Sequence, residues 1–246
     1  MRQIFSLVTL LFFLSACLNQ GAKRMEQAAQ EKAEKDSILI IEKPFPNNPS
    51  KIEYIIPVLK ETNLRHGIQK RFYPHGSLYS EVPYILNERN GMAYTYYKAY
   101  KGAKPAVWKE QPYVNGKLNG ICKRYYENGK LQSEYEYKDG MPAIGLKEYN
   151  ESGEEIKQPV LTVKCAPTER YHYVTAQLSK KAGKVTYYTG DLVDGKYFPG
   201  NLREIQDRDG IAEVLIPKEA TKVTIVAVFY TRLSNECILA KTILLK

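Results

Sequence analysis

Residues 67–84 read GIQKRFYPHGSLYSEVPY, and residues 120–137 read GICKRYYENGKLQSEYEY. Laid one on the other, Gly67, Ile68, Lys70, Arg71, Tyr73, Gly76, Leu78, Ser80, Glu81 and Tyr84 recur as Gly120, Ile121, Lys123, Arg124, Tyr126, Gly129, Leu131, Ser133, Glu134 and Tyr137. Ten of eighteen positions are identical at an offset of 53. Each copy reads as a β-hairpin. Ile68–Tyr73 is one strand, Pro74-His75-Gly76 the turn and Leu78–Tyr84 the return. In the second copy the turn is Glu127-Asn128-Gly129, and Asn-Gly is a strong hairpin signal because both residues tolerate φ > 0. A related unit lies between them (Gly91, Tyr96, Tyr97, Gly102, Glu110, Pro112, Tyr113), and a degraded one follows (Gly145, Tyr149, Gly153). The leading glycines fall 24, 29 and 25 residues apart. A single hairpin cannot bury its own face, so successive units are expected to pair into one elongated antiparallel sheet.

The pattern Gly-x-x-x-x-[Tyr/Phe]-Tyr-x-x-Gly-x-Leu-x-x-Glu is punctuated by Asn115-Gly116-Lys117, Asn128-Gly129-Lys130 and Asp139-Gly140. It resembles the MORN-variant repeat over about residues 66–156. That resemblance implies a structural unit and no particular chemistry. Such repeat proteins are often labelled antitoxins. The label attaches to the repeat and to no active residue, so it is not carried to this chain.

Upstream, residues 1–16 have the layout of a signal peptide. Arg2 is the basic start, Ile4–Leu14 the apolar stretch, and Leu14-Ser15-Ala16-Cys17 the close. The tetrapeptide resembles the bacterial lipobox. The resemblance implies cleavage before Cys17 and acylation of that cysteine, with two or more acyl chains giving a stable membrane anchor. The expected location is the cell envelope, at the outer membrane or cell surface. Residues 17–65 read as a polar tether followed by lead-in strands at Ser37–Glu42 and Ile52–Leu59. Pro44, Pro46 and Pro49 are expected to break regular structure between these strands.

From residue 158 to 246 the Gly-Tyr texture gives way to apolar β-rich runs. The strands expected are Val160–Cys165, Tyr171–Leu178, Val185–Thr189, Lys196–Phe198, Ile211–Ile216, Lys222–Tyr230 and Cys237–Leu245. About seven short strands in that length suggest an immunoglobulin-like β-sandwich. The predicted fold class is therefore all-β. It comprises a signal peptide (1–16), a tether with lead-in strands (17–65), hairpin repeats (66–157) and a sandwich (158–246).

Bulk composition fits a protein with a packed core. Hydrophobic residues make up 43% and charged ones 26%, and tyrosine stands out with 20 copies against 7 Phe and 1 Trp. Tyr suits half-buried strands, with an apolar ring and a polar tip. The formal net charge of +9 is spread along the chain with no run of five basic residues, which argues against nucleic acid as partner.

No catalytic motif is present. There is no phosphate loop, no Gly-x-Ser-x-Gly elbow and no metal-ligand spacing among His66, His75 and His172, so neither a cofactor nor a metal is expected. His75 reads as a turn residue and His172 as an inward core group. Glu81, Glu110 and Glu134 recur with the repeat, which argues for a structural role. Cys122, Cys165 and Cys237 remain beside Cys17. A bridge from Cys165 to Cys237, with Cys122 free, and three free thiols are the two alternatives.

Binding residues are sought in the enlarged second unit. Setting Glu110 and Tyr113 against Glu81 and Tyr84 places five extra residues in the hairpin turn, Lys98–Ala106. That loop carries Lys98, Tyr100, Lys101 and Lys104, and Trp108 follows it. Aromatic rings beside mobile cations can stack on sugars or engage acidic groups. Alternatively, the insertion is merely tolerated and Trp108 packs in the core. The expected function is a membrane-tethered binding or scaffolding module for a protein or polysaccharide. The alternative is an envelope hydrolase acting on glycans or ester-linked groups.

Overall fold

The computed structural model describes residues 37–100 and 102–245. Among these residues the protein is all-β. The first twelve strands are β1 (Ile38–Phe45), β2 (Asn48–Leu59), β3 (Gly67–Phe72), β4 (Leu78–Ile85), β5 (Glu88–Arg89), β6 (Gly91–Tyr96), β7 (Val107–Val114), β8 (Lys117–Leu118), β9 (Gly120–Tyr125), β10 (Leu131–Lys138), β11 (Met141–Pro142) and β12 (Lys147–Glu148). They form one antiparallel sheet whose main path runs β1-β2-β3-β4-β6-β7-β9-β10-β11. The remaining strands are β13 (Leu161–Pro167), β14 (Tyr171–Leu178), β15 (Val185–Thr189), β16 (Arg203–Ile205), β17 (Asp207–Arg208), β18 (Ile211–Pro217), β19 (Lys222–Tyr230) and β20 (Glu236–Leu244). They form two four-stranded sheets, β13-β14-β18-β17 and β16-β15-β19-β20.

The repeat sheet is one layer thick, and its tyrosines take the place of a second layer. Each unit opens on a glycine paired across the ladder with a tyrosine: Gly67 with Tyr84, Gly91 with Tyr113, Gly120 with Tyr137. The space that a Cβ would take at these glycines faces Pro57, Pro83 and Pro112 of the preceding strands. Arg65 sits 4.1 Å over the Tyr84 ring and Arg89 5.2 Å over Tyr113, adding cation–π contacts. The aromatic doublets Phe72-Tyr73, Tyr96-Tyr97 and Tyr125-Tyr126 lock one hairpin to the next. The second ring of each donates its hydroxyl to the backbone of the following unit: Tyr73 to Tyr96 O, Tyr97 to Tyr125 O and Tyr126 to Tyr149 O, at 2.7–3.1 Å. The first ring reaches back, Tyr96 to Glu81 at 2.7 Å and Tyr125 to Glu110 at 2.9 Å. The recurring carboxylates are thus acceptors inside the repeat.

Hairpin turns alternate between the two rims of the sheet. On one rim lie the expected turns at 73–77 and 126–130. On the other lie two-residue turns with both φ positive: Leu86-Asn87 (48°, 71°), Asn115-Gly116 (47°, 79°) and Asp139-Gly140 (50°, 85°). These values define the primed turn that suits strand twist. The degraded fourth unit keeps the turn geometry, with Gly153 N donating to Asn150 O as Gly76 N does to Tyr73 O.

The lead-in strands depart from expectation. Pro44 and Pro49 lie within β1 and β2 and do not end them. β1 is the outermost strand, and Pro44 falls at a register shift, where a missing N–H costs no ladder bond.

The two C-terminal sheets pack face to face around Leu161, Val174, Ala176, Tyr187, Ala212, Val223 and Ile225. With the strands lettered in chain order, their arrangement is the ABED and GFCC′ of an immunoglobulin-like sandwich. Strands β14, β15 and β19 match the sequence expectation residue for residue. Lys196–Phe198 does not form a sandwich strand. It docks on the repeat sheet: Ile144 N donates to Lys196 O (3.0 Å) and Phe198 N to Pro142 O (2.8 Å).

The same joint explains why the third unit carries Glu136 where its predecessors carry Pro83 and Pro112. Glu136 accepts from Lys196 Nζ and Tyr197 Oη, both at 2.6 Å. These partners hold its carboxyl below the usual carboxylate range. Nearby, Glu148, only 2% exposed, accepts from Thr231 Oγ1 (2.6 Å), Asn235 Nδ2 (2.7 Å) and Gln158 Nε2 (2.9 Å). Arg124 donates to Asn235 Oδ1 (2.7 Å) and Leu233 O (3.2 Å). The turn of the β19–β20 hairpin is thereby fixed to the third and fourth units.

Candidate functional site

The β6–β7 hairpin follows the ladder of its neighbours until its tip. Tyr94 pairs with Glu110 as Lys70 pairs with Glu81 and Lys123 with Glu134. All three hairpins carry a register shift at the same place, between Thr95 and Tyr96, between Arg71 and Phe72, and between Leu131 and Ser133 on the return strand. Beyond it the connection spans residues 97–106, against 73–77 and 126–130 in the flanking hairpins. The five additional residues therefore sit in the loop, as the spacing predicts.

The neck of this loop is held on three sides. Tyr97 N donates to Ala106 O (2.9 Å), the Tyr97 hydroxyl to Tyr125 O (2.7 Å), and His75 Nε2 to Ala99 O (2.7 Å). At the tip Ala103 N donates to Tyr100 O (3.0 Å), and Gly102 takes φ +88° to close the turn. Lys98 and Lys104 are exposed, and neither forms an ion pair with another described residue. Tyr100 is 90% exposed, an outward ring on a fixed stem. Lys101 lies outside the described residues, as does Cys17.

Trp108 belongs to the sheet and not to the loop. It occupies the bulged position that Tyr79 and Gln132 fill in the other hairpins. Its half-buried ring lies 6.0 Å from that of Tyr97, as Tyr79 lies 5.0 Å from Tyr73. Lys109 Nζ sits 4.1 Å above it, and Arg124 lies 5.7 Å away. Burial first, and Arg124 second, lower the Lys109 pKa. Trp108 is thus half-buried on the face of the sheet, neither on the loop nor in a core cluster of the described residues.

The Cys165–Cys237 bridge does not form. Cys122, Cys165 and Cys237 are all free thiols. Cys165 and Cys237 do lie on the first and last sandwich strands, but at opposite ends of the core. Cys237 clusters with Leu146, Phe229 and Leu178, whereas Leu178 pairs with Leu161 at the far end of β13 from Cys165. Burial pushes the Cys122 and Cys237 thiols up to about 12. His172 is buried, with Nε2 3.4 Å from Lys218 O and Nδ1 3.9 Å from Cys165 Sγ.

No group of three metal-capable side chains converges among the described residues. A cleft of about 660 Å³ at one end of the sandwich is lined by two carboxylates, Asp207 and Asp209. Asp207 opens β17 and Asp209 lies in the β17–β18 turn, and Asp207 Oδ2 accepts from Gly210 N (3.1 Å).

Sequence reasoning found the loop because an insertion changes spacing. It missed Glu136 and Lys196–Phe198 as a joint. The one signal was the replacement of the repeat's proline by glutamate.

Fold and site together define a hairpin-repeat protein with an appended β-sandwich and a presented loop. The family model described as "MORN repeat variant" matches residues 65–85 and 118–139, the β3–β4 and β9–β10 hairpins. No curated protein and no solved structure matches the chain.

Proposed function

We propose that this protein is a membrane-anchored envelope lipoprotein, acylated at Cys17, that binds or scaffolds a protein or polysaccharide partner through the loop at 97–106. The observation carrying the reading is the outward Tyr100 ring, flanked by Lys98 and Lys104, which pair with no other described residue, on a neck fixed by three hydrogen bonds. A rigid scaffold presenting a mobile-cation, aromatic tip is the usual arrangement of a recognition loop. Matches to the repeat family support a structural platform and leave the chemistry to the loop.

Deleting Lys98–Lys104 tests the site. Capture of partners from detergent-solubilised envelopes should fall while the β-sheet circular dichroism stays unchanged. Full capture by the deletion variant would move the site elsewhere, and loss of the sheet signal would make the loop structural. Cys17→Ala tests the anchor. Metabolic labelling with an alkyne fatty acid should vanish, and undiminished labelling would sink the lipoprotein reading.

A further inference from the structure

The β14–β15 loop, residues 179–184, reads Ser-Lys-Lys-Ala-Gly-Lys. Its start is tied down: Val160 N donates to Ser179 Oγ, and Ser179 N to Val160 O, both at 2.9 Å. Its middle is pinned where Ala182 packs against Leu146, Phe229 and Cys237. With the chain held there, Lys180, Lys181 and Lys184 are exposed and line the 660 Å³ cleft. None of the three forms an ion pair with another described residue. Three like charges within five residues repel one another, and a concave wall concentrates their field on whatever anion enters.

The rest of the cleft restricts which anion that is. Leu178, Ala182, Val185 and Ile211 supply the apolar part of the lining. Tyr187, only 1% exposed, spends its hydroxyl on Gly210 O (3.1 Å) and offers a ligand no open ring face. Asp207 and Asp209 line the same cleft; they repel a dense polyanion but accept hydrogen bonds from hydroxyl groups. A ligand that satisfies both sets of groups carries a negative charge together with free hydroxyls. We infer that this cleft binds an acidic saccharide, a sugar unit bearing a carboxylate or a phosphate beside free hydroxyls. The site is on the sandwich and is independent of the loop at 97–106.

Calorimetric titration of the full chain tests it with three probes: trigalacturonic acid, glucose 6-phosphate and neutral maltotriose. Binding of either anionic sugar, with no heat from maltotriose, is expected, and the sugar that binds identifies the anion. The triple variant Lys180→Ala, Lys181→Ala, Lys184→Ala should weaken that binding about thirtyfold, roughly threefold for each exposed charge pair. Should the triple variant melt below wild type, Lys→Gln at the same positions keeps the side-chain stems and should show the same loss. Three outcomes overturn the inference: neither anionic sugar binds, the lysine variants bind as wild type does, or a hexaglutamate peptide binds as tightly as the sugar. The last would show that charge alone is read.

Discussion

Gly120 shows how a single residue can be required twice over. Its φ is +115°, and a Cβ added there would lie 3.2 Å from Pro112 Cγ. Gly67 and Gly91 meet Pro57 and Pro83 in the same way, at 3.2 and 3.1 Å. Gly120→Ala combines left-handed strain of about 1–2 kcal/mol with a crowded proline, so a loss of roughly 2–3 kcal/mol is expected in urea unfolding. A loss under about 0.5 kcal/mol would show that the backbone relaxes freely.

Tyr125 carries a pH dependence. Burial and its hydrogen bond to Glu110 push its pKa up to about 12, against an ordinary value near 10. The folded state thus favours the protonated phenol. Its stabilisation is fully present below about pH 10 and is lost as pH rises toward 12. Tyr125→Phe should flatten the fall of the urea midpoint across that window, and an unchanged slope would dissociate the phenol from it. The thiols offer a third check. Cys122 and Cys237 should resist alkylation at pH 8 in the native state, and the unfolded lipidated protein should expose three thiols. A count of one would restore the bridge.

At this scale the glycines and tyrosines were legible from their recurrence. Their proline partners were not, because each sits on the preceding strand and only the register brings it into contact.

Among the elements, legibility followed local signals. The enlarged hairpin could be located by counting, since repeat ladders fix every position around an insertion. The Leu86-Asn87 turn could not, because it contains no glycine and Leu86 takes φ 48° against its own preference. The β1–β2 pairing was hidden by prolines that read as breakers but stand at an edge. Lys196–Phe198 was expected as one of the short sandwich strands, yet its backbone bonds outside its own turn go to Pro142 and Ile144. Glu136→Pro tests that joint. The ladder positions of Pro83 and Pro112 show that proline is tolerated in this register, so the sheet should survive. Losing the acceptor for Lys196 and Tyr197 should cost about 1 kcal/mol, discounted for exposure. It should also raise hydrogen exchange at the Phe198 amide. Unchanged exchange would mean that the backbone bonds alone hold the joint. The carboxylate's own contribution is present above about pH 4.5 and lost as pH falls through its lowered folded value.

For the whole molecule, the sandwich was legible from strand alternation, but its attachment was not. Arg124 and Asn235 are 111 residues apart in the chain and meet only in the fold. Glu148 is the centre of that attachment, so Glu148→Ala strands the donors of Thr231, Asn235 and Gln158. A loss of about 3 kcal/mol is expected, and where the wild type is expected to melt in one calorimetric transition the variant should show two. A single transition at the wild-type temperature would show that the two parts never melt as one.

The strand order also fixes a length. The nine strands from β1 to β11 make eight steps, and at about 4.8 Å per step they span roughly 40 Å. The chain enters at one end of that span, and the sandwich hangs from the other. Each added hairpin would lengthen the reach by about 10 Å without disturbing either end. The repeat number is therefore a gauge of how far from its point of entry the protein holds its sandwich.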